Sequence, residues 1–484
     1  MGRPPMMARK RRGARMLDLA LFAFFWGLMA LGLKRPFIWV LAYLYVDIVA
    51  PQKIGWALTP ALPLSMIAFA ACFGGWLLLD NKQGARFTFR QGIMLALLLY
   101  CGMTTLGADF PDAAAAKWAW VWKALVFAIF LPLTLRNWLR LEAAALFMVL
   151  SVGSIVVSAG IKTVLSGGGY GTLAALVQEN SGLYEGSTLS TVAIAMVPLI
   201  WWVARHGTIF RPDRAVTIFA MALIFAALLV PIGTHTRTGL ICIAVLGVLV
   251  LRSVRYRVFY AGAGAVALLA ALPFLPADYT ERMATIGSHQ ADQSASTRVA
   301  VWNWTLDYVA ARPLGGGFDA FLGNSFTYST RAETEVGGTI VVETAEVTEE
   351  ARAYHSAYFE MLGEQGWPGL ILWLALHGTG LWQMERIRRR FRRSDEGREA
   401  AWASLATALQ NGQLVYLAGA LFVGIAFQPV IFMLIALQIA LATQVRLADT
   451  ARRDAEEKER AKRRRARQRS ERAGGPAIAG DAPA

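Results

Sequence analysis

The chain has 484 residues, of which 56% are hydrophobic and only 17% charged, with a mean hydropathy of +0.43. A water-soluble domain carries about 45–50% apolar and about 25% charged residues, so a soluble globular enzyme is excluded. Three unpaired cysteines in apolar stretches (Cys72, Cys101, Cys242), five scattered histidines and the lack of a G-x-G-x-x-G after a strand-like run exclude a disulfide framework, a metal cluster and a dinucleotide fold. The net charge of +15 gathers beside apolar segments, within 3–15, 386–393 and 462–469. That is the positive-inside pattern of cytoplasmic loops, with attraction to anionic lipid heads, and it argues against a nucleic-acid partner.

Apolar stretches recur at 16–33, 36–50, 61–79, 91–107, 118–135, 141–160, 186–203, 215–231, 238–251, 257–275, 366–382, 411–428 and 430–446. Each is long enough to reach across or nearly across a bilayer. They predict an all-α polytopic membrane protein of about 12–13 transmembrane helices. Residues 1–15 read as a basic N-terminal extension, with Met16 expected as the native start, because basic charge ahead of the first span opposes the outer position that thirteen spans and an inner tail require. No cleavable signal peptide is expected, since the first apolar stretch runs on into a second.

The remaining organisation follows from charge. Transmembrane helices 1–10 fill 16–275, a long loop fills 276–355, and the C-terminal transmembrane helices fill 356–446 with a basic cytoplasmic loop at 383–410. Residues 447–484 predict a disordered basic cytoplasmic tail. The loop 276–355 holds eleven acidic residues against five arginines (Arg282, Arg298, Arg312, Arg331, Arg352), a net of −6, as suits the outer, periplasmic face. Within it, 297–311 predicts a short amphipathic helix carrying Trp302 and Trp304, broken by Pro313 and Gly315–Gly317. Residues 334–344 flank Gly337-Gly338 as a hairpin would. The loop is expected to be a folded subdomain.

Charged groups at the edge of hydrocarbon are costly and point to function. In Gly233-Thr234-His235-Thr236-Arg237-Thr238-Gly239 a very short outer turn puts Arg237 at the membrane boundary, facing an anion or merely anchoring a helix end. Arg298, in Ser296-Thr297-Arg298, opens the loop helix. Two guanidiniums would suit a diphosphate, since each planar fork bonds phosphate oxygens in pairs and stays charged at working pH. Where the loop re-enters the membrane stands His355, whose ordinary pKa of about 6.5 suits proton transfer, though a lone histidine is also a common structural residue. Glu360 and Glu364, one turn apart, would orient it or face water. Tyr358 and His235 are counted as supporting residues. Gln178, Glu179, Asn180, Tyr184 and Glu185 gather at the outer end of the span from 186, as the mouth of a cavity or an interfacial loop. Lys123 and Asp47 lie inside apolar segments, where Lys123 would join the anionic site or snorkel.

Three motifs in chain order carry a resemblance: Thr236-Arg237-Thr238-Gly239 after a span, Ser296-Thr297-Arg298 followed by Trp302, and H-S-x-Y-x-E-x-L-G-x-x-G-x-x-G from His355 to Gly369. Together they resemble the O-antigen ligase/polymerase superfamily. Met16-Leu17-Asp18-Leu19, Leu33-Lys34-Arg35-Pro36-Phe37 and Ala50-Pro51-Gln52 look more narrowly like the O-glycosylation ligases associated with the exosortase A system. The resemblance covers most of the chain from Met16 to about Arg446. It implies an inner-membrane glycosyltransferase acting at the periplasmic face, with an undecaprenyl diphosphate-linked glycan as donor, a hydroxyl on lipid, polysaccharide or protein as acceptor, and inversion at the anomeric carbon. By the same resemblance Arg237 and Arg298 hold the diphosphate and His355 activates the acceptor, with no cofactor or metal. The sequence departs from the family at His235, where a small hydroxyl residue is usual, and near Ser187, where asparagine is frequent. A polymerase of the same superfamily is the first alternative. A flippase for lipid-linked glycans is the second, disfavoured because no internal repeat appears and the polar groups collect at one face.

Overall fold

In the computed structural model the described residues are 5–55, 57–166, 182–252, 254, 256–271, 289–336, 339–394 and 397–473. Helices dominate them: α1 (Pro5–Lys34), α2 (Phe37–Val49), α3 (Pro51–Ile54), α4 (Leu64–Leu78), α5 (Phe89–Leu106), α6 (Pro111–Thr134), α7 (Trp138–Ser166), α8 (Gly186–His206), α9 (Arg214–Gly233), α10 (Arg237–Leu251), α11 (Arg257–Ala271), α12 (His289–Ala311), α13 (Ala357–Phe391), α14 (Gly397–Gly419) and α15 (Pro429–Ala473). Among the described residues eight helices are long and apolar enough to cross a bilayer, and Leu64–Leu78 and Arg237–Leu251 are shorter apolar helices. The protein is an all-α polytopic membrane protein, as its composition predicts.

The bundle is built around α8 and α15, each with 78% of its span inside the molecule, against 28% for α9. Outward faces carry exposed leucine, isoleucine and phenylalanine, such as Leu99, Ile218 and Phe225, which suits a lipid solvent. The interior, by contrast, holds a polar ladder. Arg90 donates to Gln438 at 2.8 Å, Gln438 donates to Gln413 at 2.8 Å, and Gln413 bonds the His377 ring at 2.8 Å. Without water in the hydrocarbon these groups must find partners in one another. The ladder crosses α5, α13, α14 and α15, and among its side-chain atoms Arg90 Nε and His377 Nε2 are left without a hydrogen bond.

At one end of the bundle basic side chains meet the few acidic ones: Arg136 and Arg140 on Asp80, Arg388 and Arg389 on Glu385, and Arg390 on Asp449. The other end carries α12 and an antiparallel hairpin, β1 (Ser325–Val336) and β2 (Thr339–Glu350), paired from Ser325↔Glu350 to Val336↔Thr339. The hairpin forms as predicted with longer strands, while its Gly337-Gly338 turn lies outside the described residues. The loop helix likewise starts earlier, at His289 instead of 297.

Three expectations are corrected. The basic loop 383–410 is helical on both sides, in α13 to Phe391 and in α14 from Gly397. The span expected at 411–428 is displaced accordingly: α14 stops at Gly419, and 420–428 turns back on itself before Pro429 opens α15. Hydropathy favoured the apolar 420–428, whereas the polar Gln410, Asn411 and Gln413 are accommodated inside the bundle. Lastly, 447–473 continues α15 as helix, because Arg, Glu and Ala are strong helix formers. Residues 474–484 lie outside the described residues.

Candidate functional site

Three segments converge at the hairpin end. The first is the turn from α9 to α10. His235 there adopts a left-handed φ of 52°, and the hydroxyls of Ser190, Thr234 and Thr236 close a triangle at 2.8–3.1 Å that ties the turn to α8. Gly239 lets α10 press close: a Cβ there would stand 2.6 Å from Pro231 and 3.0 Å from Ser190. Hydroxyls and glycine thus fix the helix start from which Arg237 projects.

The second segment is α12. Trp302 Nε1 donates to the Tyr354 carbonyl at 2.9 Å, and the Trp302 ring stacks on Phe359 at 4.9 Å and 2°. Arg298 precedes Trp302 by one helical turn and so shares its face.

The third is 351–356, the exit from the hairpin. Ala351 and His355 hold left-handed φ values of 53° and 48°, a conformation that costs a non-glycine residue about 1–3 kcal/mol and persists only where surroundings enforce it. Asn324 does so on one side, accepting from Arg352 N at 2.8 Å and donating to its carbonyl at 2.7 Å. On the other side Ala357 N donates to the Ala420 carbonyl at 2.8 Å.

The α13 helix that follows is broken at Gly366 (φ 62°, ψ −167°). The break receives the loop, since Trp367 N donates to the Pro313 carbonyl at 3.0 Å and Gly317 N to the Glu364 carbonyl at 2.9 Å. A Cβ on Gly366 would stand 2.3 Å from that Pro313 oxygen, and one on Gly363 2.3 Å from Tyr354 Oη. The glycines of the re-entry motif are therefore sites of close approach between loop and helix.

The result is a cationic cluster around a histidine. Arg298 lies within electrostatic reach of Arg237 and Arg352, and its pKa is lowered by burial and by both neighbours. His355 lies within reach of Arg298, Arg352 and Glu185. Burial lowers its pKa, the two guanidiniums lower it further, and Glu185 opposes them. A neutral imidazole beside arginines can take a proton from a hydroxyl while the arginines hold an anion. Glu185 caps α8, accepting from Ser187 N at 3.0 Å and Thr188 N at 2.6 Å.

Of the residues named from sequence, Arg298 is brought within reach of both Arg237 and His355. Arg352 was counted only in the loop's charge, and its nearness to His355 in sequence was the signal that could have found it. Gln178, Glu179 and Asn180 lie outside the described residues. Tyr184 bonds the Val49 carbonyl at 2.6 Å. Tyr358 donates to the Leu417 carbonyl at 3.1 Å and packs edge-on against Trp373. Lys123 lies over the Trp122 ring and within reach of Asp47, in the bundle.

Glu360 faces a second cluster that sequence reasoning missed. Lys117 of α6 reaches Glu360 and Glu364 at 2.7 Å each and Asp319 at 3.6 Å. Glu360 also accepts from Ala426 N at 3.0 Å, and Asp319 N donates to Glu364 at 3.0 Å. Burial raises the pKa of Asp319, with Lys117 acting the other way. The cluster joins loop, α6, α13 and the 420–428 turn. Among the described residues no group of three His, Cys, Asp or Glu is placed to hold a metal.

No curated protein matches the chain. Residues 16–208 match a family of unknown function (DUF5935), and residues 220–374 match the O-antigen ligase family. Arg237, Arg298, Arg352 and His355 all fall within the second matched segment, so residues 220–374 form a domain of the O-antigen ligase family.

Proposed function

We propose that the protein is a glycosyltransferase of the O-antigen ligase type that moves a glycan from undecaprenyl diphosphate to an acceptor hydroxyl, inverting and metal-independent, at the periplasmic face of the bacterial inner membrane. The O-antigen ligase domain supports a membrane ligase or polymerase acting on glycans. The observation that carries the finer reading is the convergence of Arg237, Arg298 and a neutral His355 at the hairpin end. There the acceptor O–H gives its proton to His355, and its oxygen bonds the anomeric carbon. The bond from that carbon to the diphosphate breaks, and the electron pair departs with the diphosphate, where guanidiniums meet the charge. The periplasmic assignment is supported by charge: the opposite end is basic, and the loop carries a net of −6. The narrower kinship with exosortase-associated ligases rests on the N-terminal motifs, of which Asp18 accepts from Ala57, Leu58 and Thr59 N–H groups and so ties α1 to the loop after α3.

The test is reconstitution in liposomes with undecaprenyl-diphosphate oligosaccharide and a panel of lipid, glycan and protein acceptors. Glycan released from lipid onto one acceptor as a single unit supports ligation. A ladder of lengthened lipid-linked products would mean polymerisation, and no transfer to any acceptor would contradict the reading.

A further inference from the structure

We propose that Glu185 is a positioning residue for His355, whose fixed negative charge stabilises the imidazolium formed when His355 takes the acceptor's proton. This rests on the transfer reaction proposed above and assigns a residue that the family motifs do not include.

The geometry begins with how firmly Glu185 is held. Its two carboxylate oxygens accept from Ser187 N and Thr188 N at 3.0 and 2.6 Å, and the preceding Tyr184 is buried with its hydroxyl on the Val49 carbonyl at 2.6 Å. The carboxylate therefore has little freedom at the start of α8. Two links then bring the first turns of α8 to the histidine's segment, and a third brings them to that of Arg237. Thr191 packs against Gly419, where a Cβ would lie 2.5 Å from Thr191 Cγ2. Ala420, the next residue, accepts from Ala357 N at 2.8 Å, two residues beyond His355. On the other flank Ser190 accepts from Thr236, the neighbour of Arg237, at 2.8 Å. The first turns of α8 thus lie between the turn that carries Arg237 and the segment that carries His355.

The charges facing His355 come from three elements: Arg298 from α12, Arg352 from the hairpin exit and Glu185 from α8. Arg237 stands beside Arg298. Two guanidiniums and the positive end of α8 all oppose an imidazolium. A base in such a place accepts a proton poorly unless anions offset them. Glu349 pairs with Arg352 at 3.4 Å, and among the described residues Glu185 is the carboxylate within reach of His355 itself. In the reaction the acceptor O–H proton passes to the imidazole, the oxygen's electron pair forms the new bond to the anomeric carbon, and the pair of the broken bond leaves on the diphosphate. The imidazolium later returns its proton to water. Glu185 neither gives nor takes a proton, and its charge lowers the energy of the protonated histidine, as the buried aspartate does in hydrolytic triads.

The test uses the full chain in liposomes with undecaprenyl-diphosphate oligosaccharide and an acceptor that the wild type uses. Glu185→Gln removes the charge while its amide oxygen can still accept the helix N–H groups; if that variant does not fold, Glu185→Asn, a good helix cap, is read the same way. The expected result is a fall in kcat of about 10–100-fold with KM for the donor little changed. The acid limb of the rate profile should also move to lower pH, because losing the negative charge lowers the His355 pKa further. Glu185→Asp should keep the wild-type limb. A purely structural role would lower Tm and leave the limb in place. Wild-type kcat and limb in the charge-free variant, with transfer abolished by His355→Ala, would overturn the inference and leave the transferase standing. Transfer that survives His355→Ala would overturn both.

Discussion

Trp302 donates its indole N–H to the carbonyl of Tyr354 at 2.9 Å, and this one bond joins the helix that carries Arg298 to the residue next to His355. Stacking of the same ring on Phe359 extends the joint into α13. Anion-binding and proton-accepting groups come from separate elements, and their spacing depends on that joint.

Trp302→Phe keeps an aromatic ring for the stack on Phe359 and removes the hydrogen bond, which is worth about 1 kcal/mol net. It should lower transfer several-fold with little change in Tm. Trp302→Ala also loses the stack, worth about 0.5–1.5 kcal/mol beyond burial, and should lower both activity and Tm. Steady-state transfer and thermal unfolding in detergent check this, and wild-type activity in both variants would deny the joint its role.

Arg237→Lys and Arg298→Lys retain charge and lose the planar fork. Each should reduce kcat/KM about 10-fold or more, since a bidentate guanidinium is not replaced by an ammonium. Titration with inorganic pyrophosphate as a competitor should show weaker inhibition in both. Unchanged inhibition in both would place the diphosphate elsewhere.

The pH dependence follows from His355. Burial, Arg298 and Arg352 hold its pKa below the ordinary value, which is about 6.5. The base is neutral and active above its pKa and is lost as pH falls through it. The rate should therefore be flat through neutrality and decline only in acid below the ordinary histidine range. A profile of kcat/KM against pH with its limb above about 6.5 would be inconsistent with the surroundings of His355.

Lys117 faces Glu360, Glu364 and Asp319, with 13% of its side chain exposed. Removing one partner of a buried ionic group costs about 3–5 kcal/mol, because charge is left without compensation. Lys117→Met should lower stability on that scale, and adding Glu364→Gln should recover part of it. A double-mutant cycle read by thermal unfolding gives the coupling, and additive effects would argue that the ion pair contributes nothing.

Much of this was legible in the sequence where a local signal existed. Apolar length revealed most spans, Pro313 with three glycines marked the end of the loop helix, and Gly337-Gly338 marked the hairpin. Arg237, Arg298 and His355 stood out as charged or titratable groups at membrane edges. What stayed hidden depended on contacts distant in sequence. Lys117 reads as a lysine near a helix start, and nothing near it foretells Asp319, about two hundred residues away. From sequence Glu360 would orient His355 or face water, yet helical geometry turns it inward to Lys117 and Ala426. The frame of α14 was misjudged because hydropathy cannot show that Gln413 finds His377 and Gln438 inside the bundle.

The most direct measurement compares wild type and His355→Ala in liposomes loaded with undecaprenyl-diphosphate oligosaccharide, following glycan released from lipid onto an acceptor hydroxyl and, in parallel, movement of the lipid-linked glycan across the bilayer. The account predicts transfer by the wild type and a loss of at least about 100-fold in the variant, the scale of a general base. No transfer by the wild type, together with glycan movement that survives His355→Ala, would contradict it.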